Sequence, residues 1–519
     1  MTPIVQSLTQ EIEELVSRLS KRDQQIDMLE RENKLLREAI ASLKGDLFGK
    51  KSERIDPGQL LLFEQQREQS EDPAQAATIP VAEHQRKKKG HGREGFADHL
   101  PRKVVMLDLT EDEKCCPSCG SRLREIGEDR CERGHIIPAQ VMVICYVKKK
   151  YACPAGHCVR TPMTPPSLID RCKYEPSVYA HIVASKYQDH LPLHRLQGIF
   201  KRQGVNLSKQ TMWEMLARVD EVFAALILKQ MRLELLSEWI LQGDDTPVCV
   251  RLEDGKGTRE GRVWAWITLG AKKAVCQFTM TKERDGPVQF LGDWSGTLIF
   301  DGASNVSEVV RSNKIIRAGC WAHARRKFKK AYDIGSKPAV RLLIPIQRLF
   351  ELERTMNGRI ARQGLGDEAL LALRRSVRER SAKRLADKIF KLAKDLLNDG
   401  TTLPRSEFGK GLKYLINQEE PLRRFLDDER IPIHNNDTER TLRHIAVGRA
   451  NWLVFGSPRG GQVASNLYSL MLSCRASGIN PEAYLTDVLS HVATTPISAL
   501  ASLTPWAWAE AHPEARIEK

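Results

Sequence analysis

The chain lacks the apolar run that would cross a bilayer: nowhere do about 18 apolar residues follow one another. Its first residues, MTPIVQSLTQEIEELV, lack the basic and then apolar regions of a secretory leader. It also lacks the spread of cysteines that marks a disulfide framework. Of its 12 cysteines, eight fall between Cys115 and Cys172, and in a cytosolic chain such clustering points to metal before disulfides. No membrane partner is expected, and the expected location is the cytoplasm.

What the chain does have is positive charge. Lys and Arg number 81 against 66 Asp and Glu, a net +15, and a polyanion such as nucleic acid is the first partner to consider. At 519 residues it is too long for one core, so several domains are expected.

The N-terminal 50 residues carry a heptad. Val5, Ile12, Leu19, Ile26, Asn33, Ile40 and Leu47 fall seven apart, with Leu8, Leu15, Leu29, Leu36 and Leu43 in the companion position and Arg22 the one break. β-Branched residues at a and leucine at d favour a parallel two-stranded coil, and Asn33 is the polar a-position residue that fixes register and dimer state. Residues 51–100 read as a linker with a basic run from Arg86 to Lys89. Residues 101–172 hold Cys116-x-x-Cys119 and then Cys153 and Cys158, with His157 able to replace either of the second pair. Four soft ligands in two short pairs suit a closed tetrahedral structural zinc site.

Residues 173–235 read as helical. Pro192 starts a helix that Gly204 ends, and Ser208 caps the next. Helix, glycine turn and helix is a DNA-binding signature, with Lys209, Gln210 and Thr211 facing a groove. From residue 236 to 330 the texture changes. TPVCVRL, RVWAWITLG, AVCQFTM and GTLIFD are strand-like, with a short helix, GPVQFLGDW, before the fourth. This is an α/β layout. Residues 331–430 are helical and basic, 431–490 contain a helix carrying Glu439, and the Ala- and Pro-rich stretch after 490 reads as a loose tail.

Three acids stand out: Asp244 or Asp245 at the first strand, Asp301 ending the fourth in LIFDG, and Glu439 in NNDTERTLRHI, where Asn435, Asn436 or Asp437 would cap the helix. In an RNase H-type sheet the first and fourth strands are neighbours, and a helix packed on the sheet adds the third carboxylate. Two Mg²⁺ (or Mn²⁺) ions would neutralise the group and support in-line phosphoryl transfer. The other reading of such acids is turn residues picked from many.

The stretches FGKKSER, CPSCG, YACPAGHC, LPLHRLQGIFKRQGVNLSKQT, DDTPV, DGASN, GCWAHARRKF and NNDTERTLRHIAVGRANWLVFGS run in order over roughly residues 45–490. Together they resemble the insertion-sequence-66 transposases, of the DDE type. The resemblance implies an RNase H-like catalytic domain, interrupted by a large all-helical insertion, beside the coil, zinc module and helix-turn-helix. It implies recognition of the element's terminal inverted repeats, metal-dependent cutting and joining to target DNA, a homodimer or higher oligomer, accessory proteins of the same element, and a bacterial, nucleoid-associated setting. By motif the catalytic residues are Asp244, Asp301 and Glu439. Asp245 stands where the family has Glu and is read as support, Ala303 where it tends to have an aromatic, and the second cysteine pair is spaced by four rather than two. Arg440 and Arg443 are read as supporting Glu439 or the scissile phosphate. Arg325, Arg326 and Lys327 are read as DNA-backbone contacts, and Cys320 with His323 as a structural packing pair in preference to half of a metal site. A DNA-binding regulator with a dead nuclease fold, or a plain RNase H-like nuclease, is the alternative.

Overall fold

The structure, a computed structural model, describes residues 3–48, 140–152, 159–161, 168, 173–252, 257–281, 285–301, 315–364 and 366–517. The chain divides into two compact units, one of residues 1–70 with 146–519 and one of 71–145. In the second, the described residues 140–145 have no regular structure, and Met142, Val143 and Ile144 are exposed.

In the first unit the heptad segment is one helix, α1 (Pro3–Phe48). Leu19, Ile26, Leu29, Leu36, Ile40 and Leu43 all lie exposed along it in the single chain, while Asn33 donates its side-chain amide to Leu29 O at 3.2 Å. Two short strands, β1 (Tyr151–Ala152) and β2 (Val159–Arg160), pair antiparallel. Cys116, Cys119, Cys153, His157 and Cys158 lie outside the described residues.

Four helices follow: α2 (Pro176–Tyr187), α3 (Leu193–Arg202), α4 (Lys209–Val219) and, after a π-turn, α5 (Ala225–Leu236). The turn between α3 and α4 is built as the sequence indicates. Gly204 takes φ 85°, a conformation open to glycine without cost, and Ser208 Oγ accepts from Thr211 N at 3.0 Å to cap α4.

The sheet comprises β3 (Ile240–Arg251), β4 (Thr258–Thr268), β5 (Ala274–Thr279), β6 (Thr297–Ile299), β7 (Ile316–Ala318) and β8 (Val454–Phe455), with α6 (Asp285–Leu291) between β5 and β6. The order is β5-β4-β3-β6-β7, with β8 also pairing β3. β4 runs antiparallel to both β3 and β5, whereas β6 runs parallel to both β3 and β7. The four expected strands are present; β7 is an addition, too short and too polar in IRA to carry a periodic signal.

A helical block is inserted after β7: α7 (Trp321–Asp333), α8 (Val340–Gln363), α9 (Asp367–Val377), α10 (Lys383–Asn398), α11 (Glu407–Asn417) and α12 (Glu419–Arg423). Its core, including Phe328, Leu342, Ile346, Ile389, Phe390 and Leu412, is continuous with Ile240 and Ile299 of the sheet. The chain then returns as α13 (Asn436–Trp452), packed on β3 and β4, and α14 (Pro458–Ser477), packed on β5. α14 also blunts the β5 edge: Ser469 Oγ accepts from Cys276 N at 2.8 Å and Ser473 Oγ donates to Ala274 O at 2.9 Å.

The stretch after residue 490, expected to be loose, is folded through residue 517. Beyond α15 (Pro481–His491) it forms α16 (Pro505–Ala511). Trp506 Nε1 donates to Glu234 at 2.6 Å, Trp508 Nε1 to Asp487 at 2.8 Å, and Trp508 is buried. Two tryptophans anchor what composition alone marks as loose, because each satisfies its one N–H, Trp508 with its ring buried and Trp506 with its ring half-buried.

Candidate active site

β3 carries Asp244 and Asp245, and successive strand residues point to opposite faces. Asp245 is held by Arg262 of β4, Nη1 to Oδ2 at 2.9 Å, and Arg262 also reaches Glu260 at 2.7 Å. Asp244 makes a different contact: its Oδ1 accepts from Asp245 N at 2.8 Å. The parallel register Ile240↔Thr297, Leu241↔Leu298 and Gln242↔Ile299, carried on along both chains, sets Asp244 beside Asp301. Burial pushes the Asp244 carboxyl up to about 7, reinforced by the charge on Asp301 and then by Asp245 and Glu439, against the hydrogen bond from Asp245 N. Acids 57 and 195 positions away in sequence thus act on one buried carboxyl.

Glu439 comes from the first turn of α13. Arg326 of α7 donates Nη2 to both of its oxygens at 3.0 Å, and His323 Nε2 lies 3.7 Å from Oε1. Burial and then the Arg326 charge hold His323 below the usual imidazole range, against the opposing charges of Glu439 and Asp301. Arg317 of β7 is a further cation near Asp301; burial depresses it and the Asp301 charge opposes that. Sequence reasoning missed Arg317, since nothing local distinguishes it, and took Arg326 for a DNA contact alone.

Asn435 fixes the helix that carries Glu439. It occupies the N-cap position but makes no side-chain cap bond. Fully buried, its Nδ2 donates to Gly243 O of β3 at 3.0 Å, its Oδ1 accepts from Thr438 Oγ1 at 2.7 Å, and its backbone N donates to Cys320 Sγ at 3.3 Å. Thr438 Oγ1 also lies 3.2 Å from Gln242 Oε1. The start of α13 is thereby tied to the residue just before Asp244. Burial raises the Cys320 thiol to about 11, and its sulfur accepts from Asn435 N inside the packed join. Trp321 completes the join, its N donating to Ile433 O at 2.9 Å and its Nε1 to Leu422 O at 2.8 Å.

Other expected residues sit elsewhere. Arg440 is exposed and pairs with Asp437, one turn away from Glu439's contacts; side chains at adjacent helix positions do not face one another. Arg443 is exposed, and the partner of Glu439 is Arg326 instead, because α7 crosses there. Arg325 donates to Gln347 at 3.2 Å and lies over Phe350, 5.1 Å from its centroid, while Lys327 lies over Tyr414 at 4.6 Å. Lys209 and Gln210 are exposed in the first turn of α4, with Thr211 half-buried and Gln210 bonded to Glu214 at 2.9 Å. Ala303 lies outside the described residues.

Among the described residues no three acids, histidines or cysteines are gathered in metal-holding geometry, and Glu439 is turned onto Arg326. The chemistry of the donor set nonetheless fits a hard divalent cation. The candidates are carboxylate oxygens, and Asp244 is crowded by like charge that a cation would relieve.

A family model described as "Transposase IS66 family" matches residues 171–463, which spans the helix-turn-helix, the sheet, the insertion and α13. Matches to the zinc-finger binding domain of transposase IS66 cover residues 113–156, to the IS66 C-terminal element 469–506, and to "Transposase C of IS166 homeodomain" 35–105. The last takes in the stretch that composition marks as a linker. The chain belongs to the IS66 transposase family. Among its relatives in Sinorhizobium fredii (strain NBRC 101917 / NGR234), the uncharacterized protein y4hP is 30% identical over 508 residues, covering 91% of this chain and 88% of that protein. The uncharacterized protein y4jD is 29% identical over 522 residues, covering 93% and 96%. No helix among the described residues is long and apolar enough to cross a membrane.

Proposed function

We propose that this transposase binds the terminal inverted repeats of an insertion sequence and cuts and joins DNA at an RNase H-like site formed by Asp244, Asp301 and Glu439. The observation that carries the reading is the convergence of charge on Asp244, raised to about 7 by burial and by Asp301, Asp245 and Glu439. A buried carboxyl crowded by three others is unfavourable for stability alone and useful for holding cations.

Two Mg²⁺ or Mn²⁺ ions held by these carboxylates would lower the pKa of an attacking water or 3′-hydroxyl and stabilise the leaving oxygen. The chain's own residues do the rest. Asp244 gives up its proton as the site loads. Glu439 leaves Arg326, whose guanidinium is then placed to take the charge of a backbone phosphate. Asn435 keeps Glu439 in register with Asp244. Asp245 with Arg262 holds β3 against β4 rather than acting on substrate. Structural zinc at Cys116, Cys119, Cys153 and Cys158 or His157, with Lys209, Gln210 and Thr211, would serve end recognition. The exposed seam of α1, with Asn33 at its centre, would pair subunits.

The test is strand cleavage and joining on DNA carrying the element's own ends, with Mg²⁺ or Mn²⁺ and with accessory proteins of the element present or absent. Wild type and Asp245→Ala cut, whereas Asp244→Ala, Asp301→Ala and Glu439→Ala bind the ends and do not. A wild type that binds the ends under all these conditions and never cuts would overturn the catalytic reading in favour of a regulator.

A further inference from the structure

Residues 331–430 carry 21 Lys and Arg against 15 acids, more charge than the site accounts for. Part of it is structural. Arg378 is buried between Glu353 at 2.8 Å and the carbonyls of Phe425 and Asp428, at 2.6 and 3.1 Å. On α10, Lys394 pairs with Glu419 at 2.8 Å, and Asp387 is neutralised by Arg423 at 2.6 Å. What is left on α10 is four cations, Lys383, Arg384, Lys388 and Lys391, and one acid, Asp395, on the same side as Lys388 and Lys391, all exposed. None of the four cations has an ion pair among the described residues.

These cations are not scattered. α10 buries Ala386, Ile389, Phe390, Ala393 and Leu396, so Arg384, Lys388 and Lys391 share the opposite side at helical spacing. Arg384 and Lys388 face Arg348, Glu351 and Thr355 of α8 across a groove of about 440 Å³. The α8 wall is continuous with the rim of the acidic site. Gln347, which receives Arg325, donates in turn to Glu351 at 3.2 Å. Phe350 lies under Arg325 and stacks on His434 at 6.1 Å, one residue before Asn435.

We infer that the α8–α10 groove is a second DNA interface, one that takes the phosphate backbone of duplex leaving the active site. Cationic side chains about 5–6 Å apart on one helix face suit successive phosphates. Lysine and arginine heads without carboxylate partners hold phosphates and release counterions while reading no bases. The inference rests on the reading of the neighbouring acids as a DNA-acting site. It assigns the groove to the backbone of any sequence, in contrast to the helix-turn-helix.

The experiment uses the full chain and a duplex lacking the element's ends, with binding followed by fluorescence anisotropy across a salt series. One variant carries Arg384→Glu, Lys388→Glu and Lys391→Glu. A control carries Lys229→Glu, Arg259→Glu and Lys272→Glu, exposed cations outside the insertion. The groove variant is expected to lose at least tenfold in affinity at about 0.1 M salt, with a log K against log salt slope shallower by roughly 2–3, about 0.9 per phosphate contact. The control is expected to change little, and Arg384→Lys with Lys388→Arg and Lys391→Arg to keep the wild-type slope. Equal losses in groove variant and control, or no loss in the groove variant, overturn the inference; so does tighter binding of an acidic polypeptide than of duplex at this groove. If wild type binds with the groove-dependent slope but never cuts its own ends, the active-site reading fails and the groove stands.

Discussion

Asn435→Ala removes the side-chain donor to Gly243 O and the acceptor of Thr438 Oγ1. Thr438 keeps Gln242 Oε1 at 3.2 Å, so its loss is small. The Gly243 carbonyl, buried beneath α13, is left without its partner at a cost of about 1–3 kcal/mol. With the small void added, about 2–4 kcal/mol is expected, which lowers the unfolding temperature of the sheet and its helices by roughly 5–10 °C. The effect on chemistry is larger than stability implies. Asn435 ties α13 to the strand residue next to Asp244, and Glu439 lies one turn along. A shift of about 1 Å at a reacting group costs on the order of 100-fold in rate. Asn435→Asp is the sharper variant. It keeps the shape and the acceptor for Thr438 but turns an oxygen on the Gly243 oxygen, so it is expected to be at least as destabilising near neutral pH. Protonation restores a donor, so its unfolding temperature recovers as pH falls from the raised value that burial imposes toward the unfolded value of about 4. Scanning calorimetry of the metal-free protein and single-turnover cleavage are the measurements. An Asn435→Asp protein as stable as wild type at pH 7.5 would refute the reasoning, because its carboxylate cannot donate to a carbonyl.

Asp244 gives a pH prediction of defined sign. Its folded-state pKa is raised from 3.8 to about 7, so its contribution is fully present below pH 3.8 and lost as pH rises through 7. The metal-free protein therefore loses up to about 4 kcal/mol over that window. Mn²⁺ affinity, read by electron paramagnetic resonance, climbs with pH to about 7 and then levels, and Asp244→Asn weakens binding and flattens the profile. Arg326→Met removes the cation on Glu439; it is expected to bind Mn²⁺ several-fold more tightly without DNA yet to cut DNA more slowly, and unchanged Mn²⁺ affinity would contradict the contact. A β-carbon at Gly243 would lie 2.8 Å from Trp266 Cζ3 and 3.1 Å from Phe300 Cδ2. Gly243→Ala is thus expected to cost about 1–3 kcal/mol, seen as a lower denaturation midpoint. Leu29→Asp with Leu36→Asp places charge in the exposed seam of α1, and light scattering is expected to give a smaller species than wild type.

Local pattern determined much of this protein. The heptad specified one long helix, because its apolar stripe has the helical period. Gly204 and Ser208 specified a turn and a cap, since each acts on its own backbone. Alternating apolar residues and turn signals marked the strands β3 to β6, and the motifs named Asp244, Asp301 and Glu439. Tertiary structure decided which cation meets Glu439, Arg326 from 113 positions away rather than Arg443 one turn on. It decided that Asn435 bonds Gly243, 192 positions back, instead of capping its helix. It also joined the short strand β7 to the sheet and tied down the C-terminal stretch through Trp506 and Trp508. Periodicity and capping are properties of neighbouring residues, whereas these contacts join groups whose approach depends on how the helices cross the sheet, and no local spacing encodes that.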